Sequence, residues 1–178
     1  MQRLDSQLEG PILIEPTVHS DPRGFFLETF RVSALRKLGI AEQFVQDNHS
    51  RSGRGVLRGM HFQPGMAKLV RTARGAVLDV VVDVRPESPA FKRWEGFRLD
   101  DRDHRQLYVP DGFAHGFCVL SELADVIYKT SAYYDPVAEA AFRFDDPEVG
   151  IEWPDDLELQ VSARDREAPL LRELSLGA

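Results

Sequence analysis

GVLRGMHFQPGMAKLVRTARGAVLDVVVDVR, residues 55–85, decides how this chain is read. Within it, Leu78, Val80, Val82 and Val84 fall on one parity, while Asp79 and Asp83 flank Val81 on the other. Successive side chains of a strand point to opposite faces, so this alternation predicts a strand with one buried face, the apolar one. Arg58, His61, Lys68 and Arg71 interrupt the neighbouring apolar runs. So many titratable groups in strand sequence face solvent, bind a metal or take part in chemistry.

Similar segments recur on both sides of this stretch. They are PILIEPTV (11–18), GFFLETF (24–30), EQFVQDNHS (42–50), EGFRL (95–99), RQLYVP (105–110), FAHGFCVL (113–120) and ADVIYKTSAYY (124–134). Within the opening stretch, GVLRGMHF, AKLVRTA and GAVLDVVVDV (75–84) make three more. Many short strands separated by turn residues predict an all-β sandwich or closed barrel. One short helix is expected at Ser33–Leu38, with Ser33 as its N-cap and Gly39 as the left-handed residue that ends it. The tail of about 155–178 is charged, leucine-spaced and partly helical in pattern, and too short to be a domain. A length of 178 residues with no internal repeat and no low-complexity linker predicts a single domain over 1–178.

Composition narrows the function. Hydrophobic residues make up 43% and charged residues 29%, the balance of a folded globular protein rather than a disordered one. No apolar run approaches the ~20 residues of a membrane span. The N-terminus MQRLDSQLEG lacks the basic and apolar segments of a secretory signal, so a cytoplasmic protein with no membrane partner is expected. A net charge of −7 argues against a nucleic-acid partner. A small anionic ligand would instead need a local cluster of Arg and Lys. Cys118 is the only cysteine; lying between Phe117 and Val119, it reads as a core residue.

Metal chemistry is the first alternative to weigh. Cupin jelly rolls bind metal through an H-x-H segment, a following Glu and a later P-x-G-x-x-H segment. Pro110–His115 resembles the last of these, but Gln63 stands where the second His of the first would be, and no Glu follows closely. Two imidazoles alone make a poor site for zinc or iron, so no metal is expected. Neither a GxGxxG nor a GxxxxGK[ST] motif is present, which removes dinucleotide and P-loop readings, and no G-x-S-x-G elbow occurs. Strand parity places Arg58 on the face opposite His61, unless a bulge, a mouth position or the reach of the arginine brings them together.

The motifs RGFFLETF (23–30), FVQDNHS (44–50), GVLRGMHFQ (55–63), KLVR (68–71), DVVVDVRPESPAFKRW (79–94), QLYVPDGFAHGF (106–117), YKTSAYY (128–134) and DPEVGIEWP (146–154) follow one another along most of the chain. Together they resemble the dTDP-4-dehydrorhamnose 3,5-epimerases. The resemblance implies a cupin-like double-stranded β-helix jelly roll, a homodimer without metal or cofactor, acting on a dTDP-4-keto-6-deoxyhexose. It also implies that His61 is a base oriented by Asp165, that Tyr128 is the acid on the opposite face, and that Lys68 stabilises an enolate at C4. Arg23, Phe26, Glu28, Gln46, Asn48, Arg58, His115, Tyr134, Glu139 and Arg164 would bind substrate. Two features depart from the family pattern: only PGMA separates HFQ from KLVR, and Arg164 stands where lysine is common. A single-site 3- or 5-epimerase, a non-catalytic sugar-nucleotide-binding protein and a metal-dependent cupin are the alternatives.

Overall fold

The computed structural model describes residues 1–176, so Gly177 and Ala178 of the expected tail lie outside the described residues. In chain order the strands are β1 (Gln2–Leu4), β2 (Ile12–Glu15), β3 (Val18–Asp21), β4 (Gly24–Leu27), β5 (Gln46–Gly53), β6 (Val56–Phe62) and β7 (Lys68–Arg74). They continue with β8 (Ala76–Asp83), β9 (Trp94–Asp100), β10 (Gln106–Val109), β11 (Phe113–Val119), β12 (Leu123–Thr130), β13 (Ala140–Ala141) and β14 (Gln160–Val161). All ten expected segments contain a strand; β1, β3, β13 and β14 are additional.

Two sheets face each other. One runs β1-β2-β10-β7-β12-β5; the other runs β13-β6-β11-β8-β9, with β14 added in parallel to β6. The hairpin β3-β4 stands apart from both. From β5 to β8, and again from β9 to β12, each strand lies in the sheet opposite its predecessor. This winding is the double-stranded β-helix of a jelly roll, the all-β fold the sequence predicts.

Three apolar layers account for the packing. Val70, Val77, Val81, Leu99, Phe117 and Val126 fill the space between the sheets. The outer face of the first sheet, with Ile12, Ile14 and Leu69, is covered by Leu35 and Ile40 and by Phe30 and Phe44. On the second sheet, Met60, Val80, Val82 and Val84 are covered by Phe142, Val149, Leu171 and Trp153.

This third layer corrects the reading of β8. Its all-apolar parity faces outward beneath the C-terminal region, and Asp79 shares the parity of Val77 and Val81, which point between the sheets. Both faces are buried, and Asp79 and Asp83 have no exposure at all. A strand covered on both sides loses the polar alternation that marks a solvent face, so the apolar side could not be equated with the inner one.

The short helix α1 spans Val32–Lys37, and Gly39 adopts φ +91° just beyond it, as expected. Its N-cap, however, is Arg31 without a side-chain cap, and Ser33 lies inside the first turn. The tail is partly helical, with α2 at Ala163–Arg166 and a 3-10 turn at Leu171–Glu173.

Candidate active site

The conflict between Arg58 and His61 is settled by a bulge. His61 pairs with His115 and Arg58 with Phe117, so three steps along β6 match two along β11. The extra residue restores a common parity and turns both side chains inward. Gly59 makes it possible: its φ is +140°, and a Cβ there would lie 2.6 Å from the Gly116 Cα. Only glycine fits such a conformation and such an approach.

Between the sheets lies a cavity of about 610 Å³. From the second sheet, β6 supplies Arg58 and His61, and β11 supplies His115. Facing them, β5 supplies Gln46 and Asn48, β7 supplies Lys68, and β12 supplies Tyr128. Parity explains this convergence, because Lys68 and Tyr128 share the inward side with the core residues Val70 and Val126. Tyr134 and Glu139 from the loop after β12, and Arg164 and Asp165 from α2, complete the wall.

Asp165 reaches His61 because β14 lies against β6, with Gln160 beside Val56 and Val161 beside Leu57. Ser162 then caps α2 by accepting the Asp165 amide at 3.0 Å. The Asp165 Oδ1 lies 2.7 Å from His61 Nε2, and the Gly59 N–H donates to Oδ2 at 3.5 Å. Burial by itself would raise the Asp165 carboxyl, but the hydrogen bond and charge of His61, the Gly59 amide and Ser162 hold it below its ordinary value. An ionised carboxylate can only accept, so the shared proton sits on Nε2 and the lone pair of the neutral ring is at Nδ1.

A second pair lies beside the first. His115 Nε2 is 2.9 and 3.0 Å from the two Asp79 oxygens, and both residues are buried. Lys68 Nζ donates to the His61 carbonyl at 3.2 Å. Burial pulls the Lys68 ammonium down to about 8, against the pull of the Glu139 and Asp79 carboxylates. The Tyr128 hydroxyl is pushed up, first by burial and then by the Glu139 charge, with Arg58 opposing. Glu139 accepts from Arg164 and from the Tyr134 hydroxyl, and Arg58 Nε donates to Ser52 Oγ at 3.1 Å. Gln46 donates to Asn48 at 3.0 Å.

Eleven of the fourteen residues named from the sequence therefore line one cavity. Arg23, Phe26 and Glu28 do not. Arg23 and Phe26 belong to the β3-β4 hairpin, where Arg23 pairs with Asp21, and Glu28 follows it and pairs with Arg31. Phe26 is 72% exposed, and Phe25 rests on the His104 ring. At the cavity wall and behind it stand groups the sequence did not single out as functional. Asp79 orients His115, Ser52 holds Arg58, and Gln63 bonds the loop at 133–135. An acid inside an apolar strand was the one available signal, for Asp79. Cys118 is a core residue, as expected, and burial pushes its thiol up to about 11. Among the described residues, no three His, Cys, Asp or Glu side chains gather where a metal ion could be held.

Comparison with known proteins places this geometry. The family described as dTDP-4-dehydrorhamnose 3,5-epimerase matches residues 5–173. The enzyme of that name from Salmonella typhimurium is 47% identical over 169 residues, covering 93% of this chain and 92% of its own. A dTDP-4-dehydrorhamnose 3-epimerase from Streptomyces niveus is 45% identical, over 93% of this chain and 82% of its own. The crystal structure of a Legionella pneumophila dTDP-6-deoxy-D-glucose-3,5-epimerase, in complex with dTDP-4-keto-L-rhamnose, superposes with a TM-score of 0.94 at 43% identity. It covers 97% of this chain and 94% of that one. With the motifs in order, the jelly roll in common and the match running nearly end to end, this chain belongs to the dTDP-4-dehydrorhamnose 3,5-epimerase family.

Proposed function

We propose that the protein epimerises dTDP-4-dehydro-6-deoxy-D-glucose at C3 and C5, giving dTDP-4-dehydro-L-rhamnose. The observation that carries the chemistry is the His61–Asp165 pair, at 2.7 Å, in one cavity with Lys68 and Tyr128 of the facing sheet. The C4 ketone acidifies the hydrogens on both neighbouring carbons. His61 Nδ1 takes a proton from one of them, and the C–H electron pair moves into an enolate whose oxygen is the former carbonyl. Asp165 stabilises the resulting imidazolium, and the Lys68 ammonium stabilises the enolate oxygen. Tyr128, kept protonated by its burial, donates to the opposite face of the same carbon and recovers its proton from solvent, to which the His61 imidazolium releases the one it took. Proton removal on one face and return on the other inverts the centre.

Arg58 and Arg164 bind the pyrophosphate, since guanidinium groups suit phosphate oxygens and offset the acidic mean charge of the chain. Gln46, Asn48, His115, Tyr134 and Glu139 complete the substrate site. The protein acts as one domain over 1–178, without metal or cofactor, and as a homodimer. Arg23, Phe26 and Glu28 fall outside their own chain's cavity, on and beside an exposed hairpin, so they serve the site of the second copy. A cytoplasmic location fits a chain whose only cysteine is a buried free thiol.

Proton NMR with dTDP-4-keto-6-deoxyglucose in deuterated water tests the assignment by following C3 and C5 separately. Exchange is expected at both positions, and His61→Ala should abolish it while leaving dTDP binding within about threefold. Tyr128→Phe should impair formation of epimerised product more than the first exchange. A wild-type signal lost at C3 alone would make the protein a 3-epimerase, the activity named for the Streptomyces niveus relative.

A further inference from the structure

The loop between β12 and β13 forms one wall of the cavity through Tyr134 and Glu139, yet it has little packing of its own. Tyr133 is 73% exposed, Tyr134 49% and Val137 92%. What fixes Tyr134 is polar. Gln63, buried just beyond the end of β6, donates through Nε2 to the Tyr133 carbonyl at 3.1 Å and accepts the Asp135 amide on Oε1 at 2.9 Å. One side-chain amide thus holds the peptide groups on both sides of Tyr134. The Tyr134 amide itself donates to Gln46 Oε1 at 3.0 Å. Gln46 belongs to the first sheet and Gln63 follows a strand of the second, so the Tyr134 backbone is bridged between the two walls of the cavity.

We infer that Gln63 is a positioning residue that holds Tyr134 in the substrate site by clamping the peptide groups on either side of it. The chemistry demands an amide there. A carboxylate would accept from Asp135 but repel the Tyr133 carbonyl, and an aliphatic side chain would leave both groups unpaired. In this fold, the position that metal-binding cupins use for a histidine ligand instead organises a wall of the cavity. The consequence for epimerisation rests on the proposed function, whereas the clamp itself does not.

Two readouts test the inference with Gln63→Leu, Tyr134→Ala and the double variant. Amide hydrogen exchange should accelerate at least about tenfold at both Asp135 and Tyr134 in Gln63→Leu, while the β8 amides stay protected. The same variant should lower kcat/KM about tenfold, chiefly through KM, yet change it less than about twofold when Tyr134 is already alanine. Unchanged protection of the Tyr134 amide, or an equal loss in both backgrounds, would overturn the inference. If Gln63→Leu does not fold, Gln63→Glu replaces it and should show the same coupling at smaller size. A wild-type protein that exchanges neither sugar proton would refute the proposed function, and hydrogen exchange would still decide the role of Gln63.

Discussion

Wild-type kcat/KM is expected to fall along an alkaline limb near pH 8, and replacing Lys68 by arginine should remove that limb. The reasoning starts from burial. Lys68 sits inside the cavity with its ammonium brought down to about 8, because lost hydration outweighs the attraction of Glu139 and Asp79. The enolate stabilisation proposed for Lys68 needs the charged form, so activity should be present below that value and lost as pH rises through it. At pH 9 about one tenth of the lysine remains protonated, and kcat/KM should have fallen about tenfold. Arginine stays charged at that pH, which should abolish the limb. Its wider group will not place a donor where the ammonium stood, and a loss of about 10- to 100-fold at neutral pH is expected. Lys68→Met should lose about 10²- to 10³-fold. It should also make the protein more stable at pH 7, since a folded value below the usual 10.5 means the charge is carried at a cost there. That cost disappears as pH rises from about 8 to 10.5, the window in which the unfolded chain binds more protons than the native one. Initial rates from pH 6 to 10 supply the assay, with thermal melts of both variants alongside. An alkaline limb that stays near pH 8 in Lys68→Arg would refute the assignment of that ionisation to Lys68.

Three further outcomes follow from the geometry. Asp165→Asn preserves the shape of the carboxylate but not its charge, so kcat should fall on the order of 10²- to 10⁴-fold with dTDP binding retained; titration calorimetry and steady-state rates separate the two. Gly59→Ala forces a Cβ to 2.6 Å from the Gly116 Cα at a φ of +140°. It should cost about 3 kcal/mol, a fall in Tm of roughly 6–12 °C, and an unchanged melt would show that the bulge tolerates a side chain. Mixing His61→Ala subunits with Phe26→Ala subunits should restore activity if the hairpin serves the second copy, because one site of the mixed dimer then holds both an intact base and an intact Phe26. No recovery after verified subunit exchange would place Phe26 in its own chain's site.

The ten strand segments were legible because strand sequence is written locally, in runs of β-branched and aromatic residues broken by turns. His61 was visible as an imidazole among apolar neighbours, and the motif order supplied ten other residues that line the cavity. The sense of β8 was not legible. Alternation tells which residues share a face, but which face is inner depends on what covers the sheet, and here the C-terminal region covers the all-apolar side. The bulge was anticipated only as one of several ways to reconcile Arg58 with His61. It depends on two glycines from different strands meeting, an approach that neither strand encodes alone.

By itself, then, the sequence determined most of the strand content, the acidic net charge, and the residue types available for proton transfer. Tertiary structure decided how they combine: His61 with Asp165 across 104 positions, His115 with an aspartate from the mixed parity of β8, and Gln63 with the loop at 133–135. It also set the ionisation of Lys68, because desolvation is a property of the cavity and not of the residue. Strand formation follows from short-range sterics and side-chain pattern, whereas the site depends on which strands pack face to face, and that comes from the summed burial of three apolar layers distributed over the whole chain.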